Sequence, residues 1–204
     1  MLGDGGHRNG RSGPGFFEDF GRKFAESHRD ATCGQHGFEH DNYIGSTPQP
    51  NGWRASWTEF WRERRLGHQL RLAKSAGRAD TELLRLGDRL MDRLDVFLDD
   101  VVEPPSLLHG DLWSGNYLAD SEGRAVLIDP ATYYGHREAD LAMTRLFGGF
   151  PPAFYQAYEE VWPLEPGARE RGGIYELYHL LNHLNLFGGG YRSGCIATLR
   201  RLVD

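Results

Sequence analysis

Three side chains with oxygen ligands, Asp111, Asn116 and Asp129, stand next to short apolar segments of the chain. Asp111 closely follows Leu107 and Leu108 and precedes Asn116 by five positions, while Asp129 ends a second apolar run. Carboxylate and amide oxygens suit Mg²⁺, which keeps waters and phosphate oxygens in its shell. A further carboxylate, free of the metal, can accept a proton from a substrate hydroxyl. The arrangement is typical of phosphoryl transfer, where metal neutralises phosphate charge and a carboxylate orients the attacking oxygen.

The spacing matches the protein-kinase catalytic loop, in which H-x-D is followed by Asn five residues after the Asp and by a metal-binding Asp after the next strand. In that pattern Asp111 is the catalytic base, Asn116 and Asp129 hold magnesium, and His109 braces the loop. The competing interpretation is that all three are turn residues at hairpin ends. Each residue alone is ambiguous, but the three together favour a site.

The elements that must position this loop are mostly helical. Residues 34–53 are predicted as a long loop, and 107–129 as strand, loop and strand with "DSEG" as a turn. The expected fold is α+β, mainly α, with a short β-hairpin that carries the catalytic loop. Apolar periodicity predicts helices over 16–28, from the end of the 34–53 loop to about 73, over 81–100 (with Thr81 as N-cap), from 138 onward, and over 152–161, 169–187 and 193–203.

The bulk composition excludes several classes of function. The 204 residues carry a formal net charge of −6 without a cluster of Lys or Arg, so nucleic-acid binding is not expected. The absence of a long apolar run or signal peptide predicts a cytoplasmic protein without a membrane partner. Cys33 and Cys195 lie too far apart in sequence to suggest a disulfide framework. His179 and His183 have the spacing of helical metal ligands but no accompanying Glu, which favours a core or cleft-lining role.

Four motifs together resemble the fructosamine kinase (ketosamine kinase) family, a relative of the aminoglycoside and choline kinases. They are "DNYIGSTPQPNGW", "HGDLWSGN", "LIDPATYYGHREADLAMTRLFGGF" and "LYHLLNHLNLFGGGY". The resemblance covers about residues 16–202 and implies the large, C-terminal lobe of a protein-kinase-like fold. It also implies ATP-dependent, Mg²⁺-assisted phosphorylation of the sugar of ketosamines, such as fructosamine or ribulosamine adducts. These would be free small molecules or adducts on glycated protein side chains, and the unstable product would make the reaction a deglycation.

The resemblance also implies further site residues. Tyr134, His136 and Glu138 occupy the segment that shapes the acceptor site in these kinases, and Asp140 is expected to brace the catalytic loop by accepting backbone N–H bonds. Trp113 lies inside the catalytic loop and is a candidate for stacking on a sugar face, with loop packing as the alternative.

The small lobe of such a kinase, with its Gly-rich loop and strand-borne Lys, finds no counterpart in this sequence. Residues 1–15 contain six glycines and are predicted to be a flexible lead or remnant, which leaves residues 16–204 as the C-terminal lobe. No nucleotide Lys is found, since Lys23 lies on a predicted helix. Apolar surface left uncovered would favour self-association into a homo-oligomer. Two alternatives stay open: a non-catalytic ketosamine-binding protein and an aminoglycoside- or choline-type kinase.

Overall fold

Helices make up most of the computed structural model, which describes residues 13–99 and 101–204. None of its helices is long and apolar enough to cross a membrane. The helices are α1 (Phe16–Asp30), α2 (Trp57–Phe60), α3 (Gly67–Ser75), α4 (Thr81–Met91), α5 (Leu94–Leu98), α6 (Glu138–Leu146), α7 (Pro152–Val161), α8 (Ala168–Phe187) and α9 (Arg192–Val203). A π-helical segment, Trp61–Leu66, joins α2 to α3, and a 3₁₀ turn, Gly189–Tyr191, joins α8 to α9.

The mainly helical character predicted from the sequence is confirmed, with two corrections to the helices. The segment 81–100 is not one helix, because α4 ends at Met91 and α5 begins at Leu94. The N-cap of α4 is Asp80 rather than Thr81, since the Asp80 side chain accepts the N–H of Leu83 at 2.9 Å. Most of the predicted glycine-rich lead lies outside the described residues.

Six short strands form three separate antiparallel pairs. They are β1 (Asn42–Ile44) with β2 (Thr47–Gln49), β3 (Ser106–Leu108) with β6 (Tyr133–Gly135), and β4 (Tyr117–Ala119) with β5 (Ala125–Leu127). The segment 34–53 is therefore not only a loop, because it contains the β1–β2 pair. These residues form a hairpin that the glycine- and proline-rich composition did not predict.

The segment that carries Asp111 joins two of these pairs instead of lying within one hairpin. The "DSEG" turn does connect β4 to β5, as predicted, but Leu108 pairs with Tyr133 of β6. Burial explains this pairing, since Leu108 and Tyr133 are 1% and 2% exposed, whereas Leu127 of β5 is 40% exposed. The loop over residues 109–116 thus runs from a buried strand pair to a half-exposed one.

Two apolar clusters fix the chain on the two sides of Asp111. Leu108 belongs to the larger cluster, which is built mainly from α2 to α5, α8 and α9. Leu112 belongs to the smaller cluster, where the phenylalanines of α1 pack against α7. Because Leu112 is fully buried, the backbone on both sides of Asp111 is fixed by packing.

A buried carboxylate joins α6, α1 and the loop. Asp140 accepts the backbone N–H of His109 at 2.7 Å and that of Gly110 at 2.8 Å. Behind it, His28 of α1 lies 3.1 Å from Asp140 through Nε2 and 2.8 Å from the Tyr158 hydroxyl through Nδ1. Burial is the largest single influence on the pKa of Asp140 and raises it, but the hydrogen bond and charge of His28, the charge of His109 and the N–H of Gly110 together lower the pKa below its ordinary value. Asp140 is therefore ionised, and His28 donates to it.

Replacing this carboxylate should destabilise the fold. In Asp140→Asn an NH2 group replaces one carboxylate oxygen and removes an acceptor either from the N–H of Gly110 or from those of His109 and His28, according to the orientation of the amide. We expect the free energy of unfolding to fall by about 2–4 kcal/mol, measured by urea denaturation. Asp19→Asn on the exposed face of α1 is the matched control and should change stability by less than about 0.5 kcal/mol. Equal stabilities of the two variants would contradict the bracing role.

Candidate active site

The loop over residues 109–116 turns sharply at Gly110. Its φ of 80° is left-handed, and a Cβ at this position would lie 2.1 Å from the Ala131 carbonyl oxygen, so only glycine fits. Asn116 closes the loop by donating from Nδ2 to the Asp111 carbonyl at 2.8 Å. The carbonyl of Asn116 in turn accepts the N–H of Ile128 at 3.0 Å. These bonds bring Asp111, Asn116 and the residue after Ile128, Asp129, to one place.

His109 links the two acidic segments through its ring. Nε2 lies 3.0 Å from the Ile128 carbonyl, to which it donates, and Nδ1 accepts the N–H of Asp111 at 3.3 Å. Burial lowers the pKa of His109, in agreement with a neutral ring that both donates and accepts. Beyond Ile128, Asp129 adopts a left-handed φ of 52°. This conformation costs a non-glycine residue about 1–2 kcal/mol, as is found at functional sites.

Asp111, Asn116 and Asp129 line one cavity of about 760 Å³ together with Trp113. Trp113 is 38% exposed, and its indole lies so close over Gly115 that a Cβ there would be 2.4 Å from the ring. The opposite wall is largely aromatic and comes from the β1–β2 hairpin, α6, α8 and the turn after α8. Its side chains are Tyr43, Met143, Phe147, Asn182, His183, Leu186, Phe187 and Tyr191.

The electrostatics of the cavity favour a proton acceptor at Asp111. Burial raises the pKa of Asp111 to about 7, with further increases from the charges of Asp140 and Asp129 and an opposing hydrogen bond from Asn116. A base whose pKa lies near the working pH is deprotonated in a large fraction of the molecules and still binds a proton firmly enough to remove it from a substrate. Asp111 therefore has the placement and the basicity to accept a proton from a ligand hydroxyl.

The donor set fits Mg²⁺ better than a transition metal. Among the described residues no cluster of three or more His, Cys, Asp or Glu could hold a metal. Asn116 and Asp129 supply one amide oxygen and one carboxylate on the same cavity. Two such ligands suit a cation that retains waters and binds phosphate oxygens, which is the usual behaviour of Mg²⁺.

Three residues predicted to contact the acceptor lie outside this cavity. The ring of Tyr134 packs against Phe38, with centroids 6.4 Å apart. His136 is 2% exposed and lies 2.8 Å from the Tyr175 hydroxyl. Glu138 accepts two hydrogen bonds from Arg171, at 2.8 and 2.6 Å. His136 and Glu138 thus belong to a buried polar network and do not line this cavity, and their contact with an acceptor stays a prediction.

The role of His28 in supporting the loop was not predicted, although the position of this residue on an apolar helix face is a signal for it. His28 continues the stripe of Phe20 and Phe24 at four-residue spacing, and it is completely buried. A titratable residue on the apolar stripe of an amphipathic helix needs a buried partner. The identity of that partner, Asp140, could not be inferred because it lies 112 positions away.

Comparison with known proteins shows the family to which this chain is similar. Residues 9–204 match the family model described as fructosamine kinase. A Synechocystis protein named as a probable ketoamine kinase is 47% identical over 184 residues, which are 90% of this chain and 61% of the relative. The chloroplastic protein-ribulosamine 3-kinase of Arabidopsis thaliana is 47% identical over 182 residues, 89% of this chain and 55% of the relative. The chain thus spans only a little over half the length of such relatives.

Solved structures give the same picture. A Thermobifida fusca protein named as a fructosamine-3-kinase has a TM-score of 0.88 at 40% identity, over 96% of this chain and 67% of the other. An aminoglycoside phosphotransferase shares the fold at 18% identity, with a TM-score of 0.59 over 92% of this chain and 65% of the other. A kinase-like fold, the catalytic-loop geometry and the family match agree, and the chain belongs to the fructosamine kinase family.

Proposed function

We propose that this chain supplies the acceptor and metal side of an ATP-dependent kinase that phosphorylates a sugar hydroxyl of ketosamines. The observation that carries the proposal is the convergence of Asp111, Asn116 and Asp129 on one cavity, with Asp111 poised to accept a proton near neutral pH. The names of the relatives support ketosamines, fructosamine or ribulosamine adducts, as the acceptor class. A cavity of this size is typical of small-molecule sites.

In the proposed reaction the acceptor hydroxyl lies against Asp111. Its oxygen attacks the terminal phosphorus of ATP, its proton passes to the Asp111 carboxylate, and the bond from phosphorus to the ADP oxygen breaks. Asn116 and Asp129 would hold Mg²⁺, which neutralises phosphate charge when bound. The bracing of the loop by Asp140 fixes the backbone just before Asp111 before substrate arrives. In this proposal the products are ADP and a phosphorylated ketosamine, whose instability would lead to deglycation.

A second candidate function is ketosamine binding without phosphoryl transfer. The chain has two lysines, Lys23 and Lys74; Lys23 is bonded to Asp19 on the surface, and neither lines the cavity. The cavity lining therefore offers no amine to the α- and β-phosphates, which kinases of this fold usually grip with a lysine. A kinase acting on an aminoglycoside or an amino alcohol is a third candidate, supported only by fold.

Acceptor-dependent release of ADP distinguishes these functions. With Mg²⁺, ATP and a fructosamine or ribulosamine, we expect ADP release that falls by at least about 10³-fold in Asp111→Asn, because the general base and its orientation are lost. A coupled ADP assay measures it, with Glu122→Gln, an exposed substitution in the β4–β5 turn, as the control.

The controls separate the candidates. Turnover of aminoglycoside or choline, without turnover of ketosamine, would favour the third candidate. If the chain alone is inactive, it is fused to the part of the Synechocystis relative outside the match and tested again. Ketosamine binding with no ADP release in either form would contradict the kinase proposal and favour the binding protein.

Trp113 should contribute to acceptor affinity. In the proposed complex its half-exposed indole stacks on the sugar, so Trp113→Ala should raise the acceptor KM about 5- to 20-fold, with a smaller effect in Trp113→Phe. Initial rates over a range of acceptor concentrations measure this. The KM for ATP is the internal control and should stay within about twofold. An unchanged acceptor KM in Trp113→Ala would assign the indole to loop packing.

The raised pKa of Asp111 predicts a pH-dependent cost in stability. Its folded pKa of about 7 exceeds the ordinary 3.8, so the folded state loses stability as pH rises between these values. Asp111→Asn should therefore stabilise the metal-free protein at pH 8, by up to about 4 kcal/mol, and by about half as much at pH 5.5. Urea denaturation at both pH values tests this prediction. A gain that does not grow with pH would contradict the assigned ionisation.

A further inference from the structure

A second buried histidine faces Asp111 from α8. His179 is 3% exposed, and its Nδ1 has no hydrogen-bond partner among residues 13–99 and 101–204. The carboxylate oxygen Oδ1 of Asp111 lies 3.9 Å from this nitrogen. A buried polar atom without a partner costs about 1–3 kcal/mol, and an approach of about 1 Å would give it one. Hydrogen bonds at catalytic groups are often this long before substrate binds.

The charge state of His179 determines what it offers to Asp111. Burial lowers the pKa of His179 to about 3, with a further decrease from neighbouring His183, so the ring is neutral and carries one N–H. A bare lone pair on Nδ1 would face the carboxylate and repel it, whereas an Nδ1–H would attract it. The electrostatics therefore select the Nδ1–H tautomer when Asp111 is ionised, and the spectra described below are recorded at pH 8 to meet this condition.

The surroundings leave Nδ1 and Oδ1 available to each other. The nearby His183 donates from its own Nδ1 to the backbone carbonyl of His179 at 3.0 Å, so it does not occupy the His179 ring. On the other side of the carboxylate, Asp111 Oδ2 lies 3.4 Å from Asn116 Nδ2. The two oxygens of Asp111 thus face different partners.

We propose that His179 is a positioning residue that donates from Nδ1 to Asp111 Oδ1 and so fixes the rotation of the carboxylate. Oδ2 is then held toward the cavity, where the acceptor hydroxyl would bind. The proposal rests on the proposed function in one respect, which is the role of Asp111 as base. The hydrogen bond itself is independent of that role and can be measured in the resting protein.

The tautomer of His179 tests the hydrogen bond without any need for catalysis. Two-bond ¹H–¹⁵N correlation spectra of the ¹⁵N-histidine-labelled chain distinguish Nδ1–H from Nε2–H, and the spectrum of His179→Asn identifies the signal. We expect Nδ1–H in the parent protein and a shift toward Nε2–H in Asp111→Ala, which removes the acceptor. An Nε2–H tautomer in the parent, or no change in Asp111→Ala, would overturn the proposal.

Two amide substitutions test the positioning role. The Asn side chain can place an N–H near the position of Nδ1, whereas Gln places it near Nε2. We expect His179→Gln and His179→Leu to lower kcat about 10- to 100-fold with little change in acceptor KM, while His179→Asn keeps most of the activity. Equal loss in the Asn and Gln variants would overturn the positioning role.

The tautomer of His179 and the release of ADP are separate measurements, so the hydrogen bond and the kinase activity can be refuted independently. A parent chain with the Nδ1–H tautomer but no ADP release, alone or fused as described above, would refute the kinase and retain the hydrogen bond. An active parent with the Nε2–H tautomer would retain the kinase and refute the role of His179.

Discussion

The position of the loop over residues 109–116 depends on the Asp140 carboxylate. Two consecutive backbone N–H groups, those of His109 and Gly110, point at its two oxygens and fix the path of the chain just before Asp111. Asp140 is itself held by His28, so a residue in the last turn of α1 supports a loop more than eighty positions later. A buried carboxylate is stable only with such partners, because burial without them favours the neutral form.

The same carboxylate also acts on Asp111 at a distance. Its negative charge lies beneath the loop and, after burial, is the largest influence that raises the pKa of Asp111. Asp140 therefore both braces the loop and raises the pKa of Asp111. This arrangement explains why the site costs stability: two acids are kept close, and Asp129 is held in a left-handed conformation. The two buried apolar anchors, Leu108 and Leu112, offset that cost by fixing the loop on both sides.

Local patterns predicted much of this molecule, and non-local pairing accounts for most of what they missed. The phenylalanine stripe of α1 and the leucines of α4 specify amphipathic helices by themselves. The pairing of β3 with β6 could not be predicted, because each strand has three residues and its partner lies beyond the β4–β5 pair. Burial of Leu108 against Tyr133 decides the pairing, and burial is a property of the whole fold.

In the candidate site, too, local motifs predict some residues, whereas the roles of others depend on partners that are distant in sequence. Asp111, Asn116 and Asp129 belong to motifs with fixed spacing, so the sequence alone brings them together. Glu138 also lies in a motif, but its function depends on Arg171, which is 33 positions away and binds it in the core. A charged residue in a motif is therefore ambiguous until its partner is known. His179 is the converse case, since spacing alone pairs it with His183, whereas the fold turns its Nδ1 toward Asp111.

The charge of the cavity constrains how a nucleotide could bind to it. Two carboxylates, Asp111 and Asp129, line the cavity, and no Lys or Arg of the described residues joins them there. A triphosphate approaching this surface would be repelled at close range, where the low dielectric of a half-buried site strengthens like-charge interactions. A divalent cation on Asn116 and Asp129 would reverse the sign of that interaction for one carboxylate and leave Asp111 free. If the cavity is a kinase site, the division of labour between the two aspartates is therefore imposed by electrostatics: one must neutralise phosphate charge through metal, so that the other can remain a base.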